Sequence, residues 1–322
     1  MKEININEIK GIRIGHAQSL EGGTGCTVIL CEKGAWAGVD VRGGGPATRE
    51  TDLLRSENMV QQIHGLMLSG GSSYGLEACS GAMSYLENKG VGFDVGVGVV
   101  PIVCGASLFD LVVGDSKCRP DNDMGYAACI ASEDNNPQQG NVGAGTGATV
   151  GKYLGPERMM KSGLGIYAVQ AGEIQCGAVV AVNALGDVVN IDTGVKMAGI
   201  LSEDKNKIAD TEELMLAEIA SSRNVFSGNT TIGCIITNAH LTKPQANKLA
   251  SVSHNGYARA IRPVHTSADG DSIFVMATGE VEAAPDSLGA LATHVMAKAI
   301  NCAVWNAKTA YGLKSASDFS VD

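Results

Sequence analysis

Gly228-Asn229-Thr230-Thr231-Ile232-Gly233-Cys234-Ile235-Ile236-Thr237 is the stretch on which the reading of this chain turns. From Thr230 to Thr237 it is β-branched and apolar without alternation, the pattern of a strand covered on both faces. The residues before it are of another kind. Ser202–Glu213 (SEDKNKIADTEE) is charged and reads as a surface loop running into a short helix near Leu214–Ala220. SSRNVFSGN (221–229) is small and polar. A domain linker would look like this. However, only residues 230–322 follow, and they begin with a strand that lacks a clear partner in that piece. The break is therefore expected inside one domain spanning 1–322.

Further strands are expected at 11–16, 24–31, 35–41, 176–182 and 272–278, and HGLMLSG (64–70) reads as another. Helical spacing appears at Leu76, Cys79, Met83 and Leu86, stopped by Gly90, and at Leu288, Leu291, Val295 and Cys302, started near Asp286 or Ser287. A third helix follows Thr242, with Pro244 in its first turn. Strands and helices do not alternate regularly, which favours a layered α+β sandwich over a doubly wound sheet.

Composition narrows the function. With 322 residues, 44% hydrophobic and 18% charged, the chain can bury a sizeable core. Forty-two glycines against 4% aromatics imply tight turns and close backbone approaches. A net charge of −10 argues against nucleic acid or an anionic membrane as partner. The most apolar run, 96–113, is broken by Pro101 and several glycines, so no membrane span is expected. MKEININEIKGIRIGH at the start has no signal-like apolar run, which points to the cytoplasm. Nine scattered cysteines without a C-x-x-C pair read as buried thiols, and no structural metal is expected.

Three segments carry chemistry-bearing residues. Gly71-Ser72-Ser73-Tyr74-Gly75 fits G-x-S-x-G between a strand and a helix, and Asp269 and His294 follow in the order of a hydrolase triad. Against this, His294 sits within a helix, and a plain turn whose Ser73 caps the helix is the simpler reading. Asn141–Lys152 (NVGAGTGATVGK) resembles a phosphate loop, but Tyr153 follows Lys152 where Ser or Thr is required. Such a loop, with its backbone N–H groups and terminal Lys152, suits a substrate pocket or an oxyanion site. Thr230 opens a strand, and His265-Thr266-Ser267-Ala268-Asp269-Gly270-Asp271 leads into another. Read locally, each is an ordinary strand start and turn.

Seven segments together resemble the DmpA-type N-terminal-nucleophile aminopeptidases (peptidase family S58), which include L-aminopeptidase/D-esterases, β-peptidyl aminopeptidases and a nylon-oligomer hydrolase. They are 42–54 (RGGGPATRETDLL), 70–87, 99–111, 140–152, 177–189, 228–241 and 258–274, in family order through nearly the whole chain. The resemblance implies a four-layer α/β-β/α sandwich that cuts itself between Asn229 and Thr230. An α chain (1–229) and a β chain (230–322) would stay together. It also implies that Thr230 is nucleophile and, through its freed α-amine, base; such an amine has a reference pKa of about 7.7–8.0. By the same resemblance Asp269 and Asp271 orient that amine, Asn183 donates to the oxyanion, and Lys152 stabilises it or tunes the amine. Where some members carry a Tyr donor, this chain has Phe109. The implied activity is hydrolysis of a small peptide or aminoacyl amide by a homo-oligomer of processed protomers, with neither a metal nor an organic cofactor. The rivals are an amino-acid acetyltransferase of related design, a serine hydrolase using Ser73, and a non-catalytic scaffold.

Overall fold

Thr230 opens a strand in the interior of a ten-stranded sheet. The computed structural model describes residues 1–219 and 228–319, so SSRNVFS (221–227) and Ala220, the end of the expected short helix, lie outside the described residues. In chain order the strands of the sheet are β1 (Lys2–Glu3), β2 (Arg13–Ser19), β3 (Thr24–Val41), β4 (Ala47–Arg49), β5 (Gln62–Ser69), β6 (Val103–Ser107), β7 (Leu164–Ala171), β8 (Ile174–Asn183), β9 (Thr230–Ala239) and β10 (Ser272–Val281). Their spatial order is β1-β7-β8-β9-β10-β3-β5-β6-β4, with β2 paired to β3. The helices are α1 (Ala78–Asn88), α2 (Asn122–Ala131), α3 (Thr211–Ala217), α4 (Lys243–Ala260) and α5 (Pro285–Trp305).

The strand at 230 does have a partner within 230–322, β10, and it has a second, β8, from the preceding part of the chain. β8 runs antiparallel to β9 from Cys176↔Thr237 to Asn183↔Thr230, while β10 pairs with β9 in parallel on the other side. The two strands expected at 24–31 and 35–41 are one. β3 passes through an irregularity between Leu30 and Ala35, where Gly34 has φ +83°; its first half pairs with β2 and β5, and its second half with β10. A left-handed residue at the kink lets one strand serve two differently oriented parts of the sheet.

Period-2 alternation sorts the side chains into three cores. Val180 and Val182 of β8, Ile235 of β9 and Val275 of β10 pack beneath α4 and α5. Val179 and Ala181, with Ile232, Cys234 and Ile236, Phe274 and Met276, face inward against Ile29, Leu66 and Leu68 of β3 and β5. On the far side Cys26, Val28, Leu30 and Met67 meet α1 and α2. By the same parity Asn183 and Thr230 project toward the inner core, as a directly opposed pair at its rim.

Local signals place the helix ends. Thr242 caps α4 and exchanges a capping box with Gln245, with proline in the first turn. Asp210 caps α3 through the N–H of Glu213. Among the described residues no helix is long and apolar enough to cross a membrane. The glycine excess acts at contacts between layers. A Cβ on Gly165 of β7 would lie 1.9 Å from the carbonyl oxygen of Ala299 in α5, and one on Gly81 of α1 would lie 2.0 Å from that of Asn122. Both contacts are with backbone, which cannot swing away. Gly165→Ala is therefore expected to destabilise the chain by about 1–3 kcal/mol, read as a lower urea midpoint at unchanged slope; an unchanged midpoint would mean that α5 is not held at this distance.

Candidate active site at the start of the central strand

At the Asn229–Thr230 peptide the parallel pairing of β9 with β10 is extended by one short bridge. Asn229 donates its N–H to Ala268 O at 3.3 Å, and Gly270 donates its N–H to Asn229 O at 2.8 Å. The Thr230 hydroxyl also donates to Asn229 O. The peptide carbonyl before the hydroxyl thus accepts from a fixed backbone amide and touches the adjacent nucleophile-type oxygen. Asn229 and Thr230 are 1% and 4% exposed, so water competes little for these donors.

Each expected partner is near this peptide. Asn183, fully buried and cross-strand from Thr230, accepts at Oδ1 from Thr149 N–H (3.0 Å) and from Lys152 Nζ (2.7 Å). Two donors on one atom identify it as the amide oxygen, and Nδ2 then donates to Phe109 O at 2.9 Å. Lys152 Nζ also reaches Gly228 O at 3.4 Å. Burial pushes Lys152 down to about 7, an effect the Asp269, Asp110 and Asp271 carboxylates oppose. Asp269 lies on the bridge to Asn229. Its Oδ2 accepts from the N–H (2.7 Å) and hydroxyl (2.6 Å) of Thr266, and burial, then the charge of Asp271, raise it to about 6. Asp271 Oδ1 accepts the N–H of Thr231 at 2.7 Å, and its Oδ2 accepts from the N–H and Nδ1 of His265 at 3.1 and 2.8 Å.

Two local expectations are corrected. Of the loop 141–152, Thr149 N–H and the Lys152 side chain reach the site, and the glycine-rich part before them does not. Gly143 and Ala144 donate to Gln18 and Thr27, and the carbonyls of Gly145 and Ala148 turn inward onto the buried Lys161 ammonium. A cation beneath a glycine loop draws its carbonyls inward and leaves Thr149 N–H as the donor that reaches Asn183. Ser73 does not cap α1. The residue before the turn is Gly71, with φ +81° and no side-chain cap, and Ser73 is exposed within a 3-10 turn at 72–77. Its would-be triad is dispersed. Asp269 is bonded to Thr266, and the His294 ring meets Tyr167 edge-on at 6.2 Å. Asp110 fastens this turn instead, accepting from Gly71 N–H and from Thr24, both at 2.7 Å.

Sequence reasoning missed Gly270 and Thr149, whose backbone amides make the contacts; side-chain motifs carry no signal for a main-chain donor. Phe109 lacks the phenol oxygen that the resemblance attaches to its position, but its carbonyl holds Asn183, and its ring fills the space where a Cβ on Gly228 would go. Beside these residues a cleft of about 150 Å³ is lined by Phe109, Val112, Lys152, Pro156, Met159 and Gly228. The larger cavity, about 630 Å³, lies elsewhere, against His294 and Ile174.

Comparison with known proteins gives the family of the chain. An aminopeptidase of Mycobacterium tuberculosis (strain H37Rv) is 38% identical over 98% of this chain and 97% of its own length. A 6-aminohexanoate-oligomer endohydrolase of Kocuria sp. (strain KY2) is 29% identical over 91% of this chain and 84% of its own. The L-aminopeptidase D-Ala-esterase/amidase of Ochrobactrum anthropi superposes with a TM-score of 0.70 over 94% of this chain and 86% of that one; at 16% identity this is a likeness of fold, described there as a variant of the Ntn-hydrolase fold. Residues 5–317 match Peptidase family S58, and the chain belongs to that family of hydrolases.

Proposed function

We propose that this hydrolase is a self-processing aminopeptidase whose nucleophile is Thr230, freed by cleavage of its own bond to Asn229. The observation that carries the reading is the hydroxyl of Thr230 lying on the Asn229 carbonyl that Gly270 N–H already holds. Thr230 Oγ1 attacks the carbonyl carbon of Asn229 and the amide C–N bond breaks. The acyl group moves to Oγ1, and the nitrogen takes up the hydroxyl proton as a free α-amine. Gly270 N–H faces the oxygen on which negative charge develops. Water then hydrolyses the ester, leaving 1–229 with a new carboxylate and 230–322 with an N-terminal threonine.

In the processed protein the α-amine accepts the proton of its own hydroxyl as Oγ1 attacks the substrate acyl carbon, then passes it to the leaving amine. Water releases the acyl group from Thr230. Asp269 and Asp271 hold the ammonium formed on the way. Lys152 and Asn183 supply positive charge and an amide donor to the oxyanion. The small apolar cleft beside Lys152 takes the side chain of a small peptide or aminoacyl amide. The three cores support a four-layer α/β-β/α sandwich built as one domain from both fragments. The working form in this reading is a cytoplasmic homo-oligomer of processed protomers.

Denaturing mass analysis of wild-type protein should give two chains in equal amounts, the shorter beginning Thr-Thr-Ile-Gly. Thr230→Ala should stay a folded, uncut 33.1 kDa chain without activity; hydrolysis by that variant would end the proposal. The α-amine must be neutral and Asp269, raised to about 6, must be charged, so kcat/KM should fall roughly tenfold per unit below the amine's pKa and more steeply once pH drops through about 6. A slope that does not steepen down to pH 5 would remove Asp269 from the reaction.

Lys152 should cost stability in return for its role. Its folded-state pKa near 7 lies below the ordinary 10.5, so between these values the unfolded chain binds more protons and stability rises with pH. In the uncut Thr230→Ala background, Lys152→Met should therefore stabilise the fold at pH 6 by about 1–4 kcal/mol. The gain should shrink as pH climbs above 7. Chemical denaturation at pH 6 and pH 9 measures it, and a destabilised Met variant would show the ammonium to be structural.

A further inference from the structure

The backbone of Thr231, next to the proposed nucleophile, is clamped at its N–H and at its carbonyl. Its N–H goes to Asp271 Oδ1 at 2.7 Å, and its carbonyl accepts from the Tyr257 hydroxyl of α4 at 3.2 Å, a hydroxyl shared with Ser272 O at 3.3 Å. Both clamps lead to one side chain. His265 Nδ1 lies 2.8 Å from Asp271 Oδ2, and its ring stacks on that of Tyr257 with centroids 5.9 Å apart and planes 28° apart. His254 packs edge-on against both rings, 4.7 Å from that of His265 and 5.2 Å from that of Tyr257, and is itself anchored through Nε2 to Asp40 O at 3.0 Å.

The proton on His265 is placed by elimination. Its Nε2 is buried without a hydrogen-bond partner among the described residues, so a hydrogen there would be unsatisfied. Nδ1 faces a carboxylate oxygen and carries the hydrogen. The backbone is also committed. His265 has φ +59°, the left-handed region that a residue with a Cβ rarely occupies, and this conformation lets its own N–H join Nδ1 on the same Asp271 oxygen. A strained residue that spends both of its donors on one carboxylate is built to hold that carboxylate.

We infer that His265 is the positioning residue of the site: by donating Nδ1–H to Asp271 and stacking on Tyr257, it fixes the Thr231 peptide and hence the direction of the Thr230 hydroxyl and amine. The inference rests on the reading of Thr230 as a self-freed nucleophile. Asn can place its Nδ2 where His places Nδ1, and it tolerates positive φ. Asp has the same shape without the donor, and Phe keeps the ring stack without the donor.

The experiment compares wild type, His265→Asn, His265→Asp and His265→Phe as full chains. It follows self-cleavage by denaturing mass analysis and then kcat and KM on aminoacyl p-nitroanilides, with thermal melts to confirm folding. His265→Asn should stay within about threefold of wild type. His265→Asp and His265→Phe should slow self-cleavage and kcat about 10- to 100-fold, the loss of one hydrogen bond to a charged group, at nearly constant KM. Adding either change to Asp271→Asn should slow self-cleavage no further, because both act through one contact. Equal losses in the Asn and Asp variants, a wild-type rate in His265→Phe, or additivity with Asp271→Asn would overturn the role of His265 while wild type still cut itself. A wild-type chain that stayed whole would instead overturn the self-processing reading beneath it.

Discussion

The hydrogen bond from Gly270 N–H to Asn229 O is the contact on which the geometry of this site depends. It exists because β9 and β10 run parallel and their pairing is carried beyond the strand ends to the Asn229–Asp269 bridge. Parallel strands need a long crossover between them, and here α4 supplies it. The chain that returns from α4 arrives as the 265–271 loop, so both acids, the amide donor and His265 are delivered together against the peptide that opens β9. On the opposite side the antiparallel partner β8 ends at Asn183, which brings the Lys152–Asn183 pair to the same residue. A central strand flanked by one parallel and one antiparallel neighbour thus collects the two halves of the site at one end.

Three lysines are buried in this fold, and they differ in an instructive way. Lys161 places its ammonium among the carbonyls of Gly145, Ala148 and Ser162, and Lys243 among those of Leu53, Arg55 and Asn58. Each has three acceptors for three donors, the arrangement that lets a buried charge tie loops together. Lys152 has Asn183 Oδ1 at 2.7 Å and a distant Gly228 O at 3.4 Å among the described residues. It is the under-coordinated one and it lines the cleft, while Asp269, Asp110 and Asp271 oppose the effect of its burial. An ammonium with few acceptors at a cleft is what the proposed role requires, at some expense of stability.

Much of the fold was legible in the sequence. The continuous apolar run at 230–237 is a strand covered on both faces, the helix expected after Thr242 is α4, and the periodic apolar residues of 288–302 lie in α5. Local reading failed where one backbone conformation decided the outcome. Gly34 turned two expected strands into one, and a turn begun at Gly71 left Ser73 exposed instead of capping. The residues that the resemblance pointed to lie together at one end of β9. Their partners were not legible: Thr149 N–H on Asn183 and Gly270 N–H on Asn229 are main-chain donors, and any residue but proline could supply them. His265 looked like part of a turn because its value lies in what it touches across the fold, which spacing does not encode.

The placement of the Asn229–Thr230 peptide also explains how a cut there could leave the molecule whole. The peptide stands at the very start of β9, so hydrolysis removes one covalent link and no interior rung of the ladder. From Thr230 to Thr237 the strand stays paired with β8, from Ile232 to Thr237 with β10, and its inward side chains Ile232, Cys234 and Ile236 remain fully buried. Cross-strand hydrogen bonds and apolar burial of that extent far outweigh the gain in freedom of two new chain ends. A threonine at an exposed strand end would gain a free amine as easily but would fray. A threonine deeper in the ladder would be held but could not release its amine without breaking the sheet. The first residue of a central strand satisfies both demands: it stands at the end of the ladder, and the strand behind it is paired on both sides.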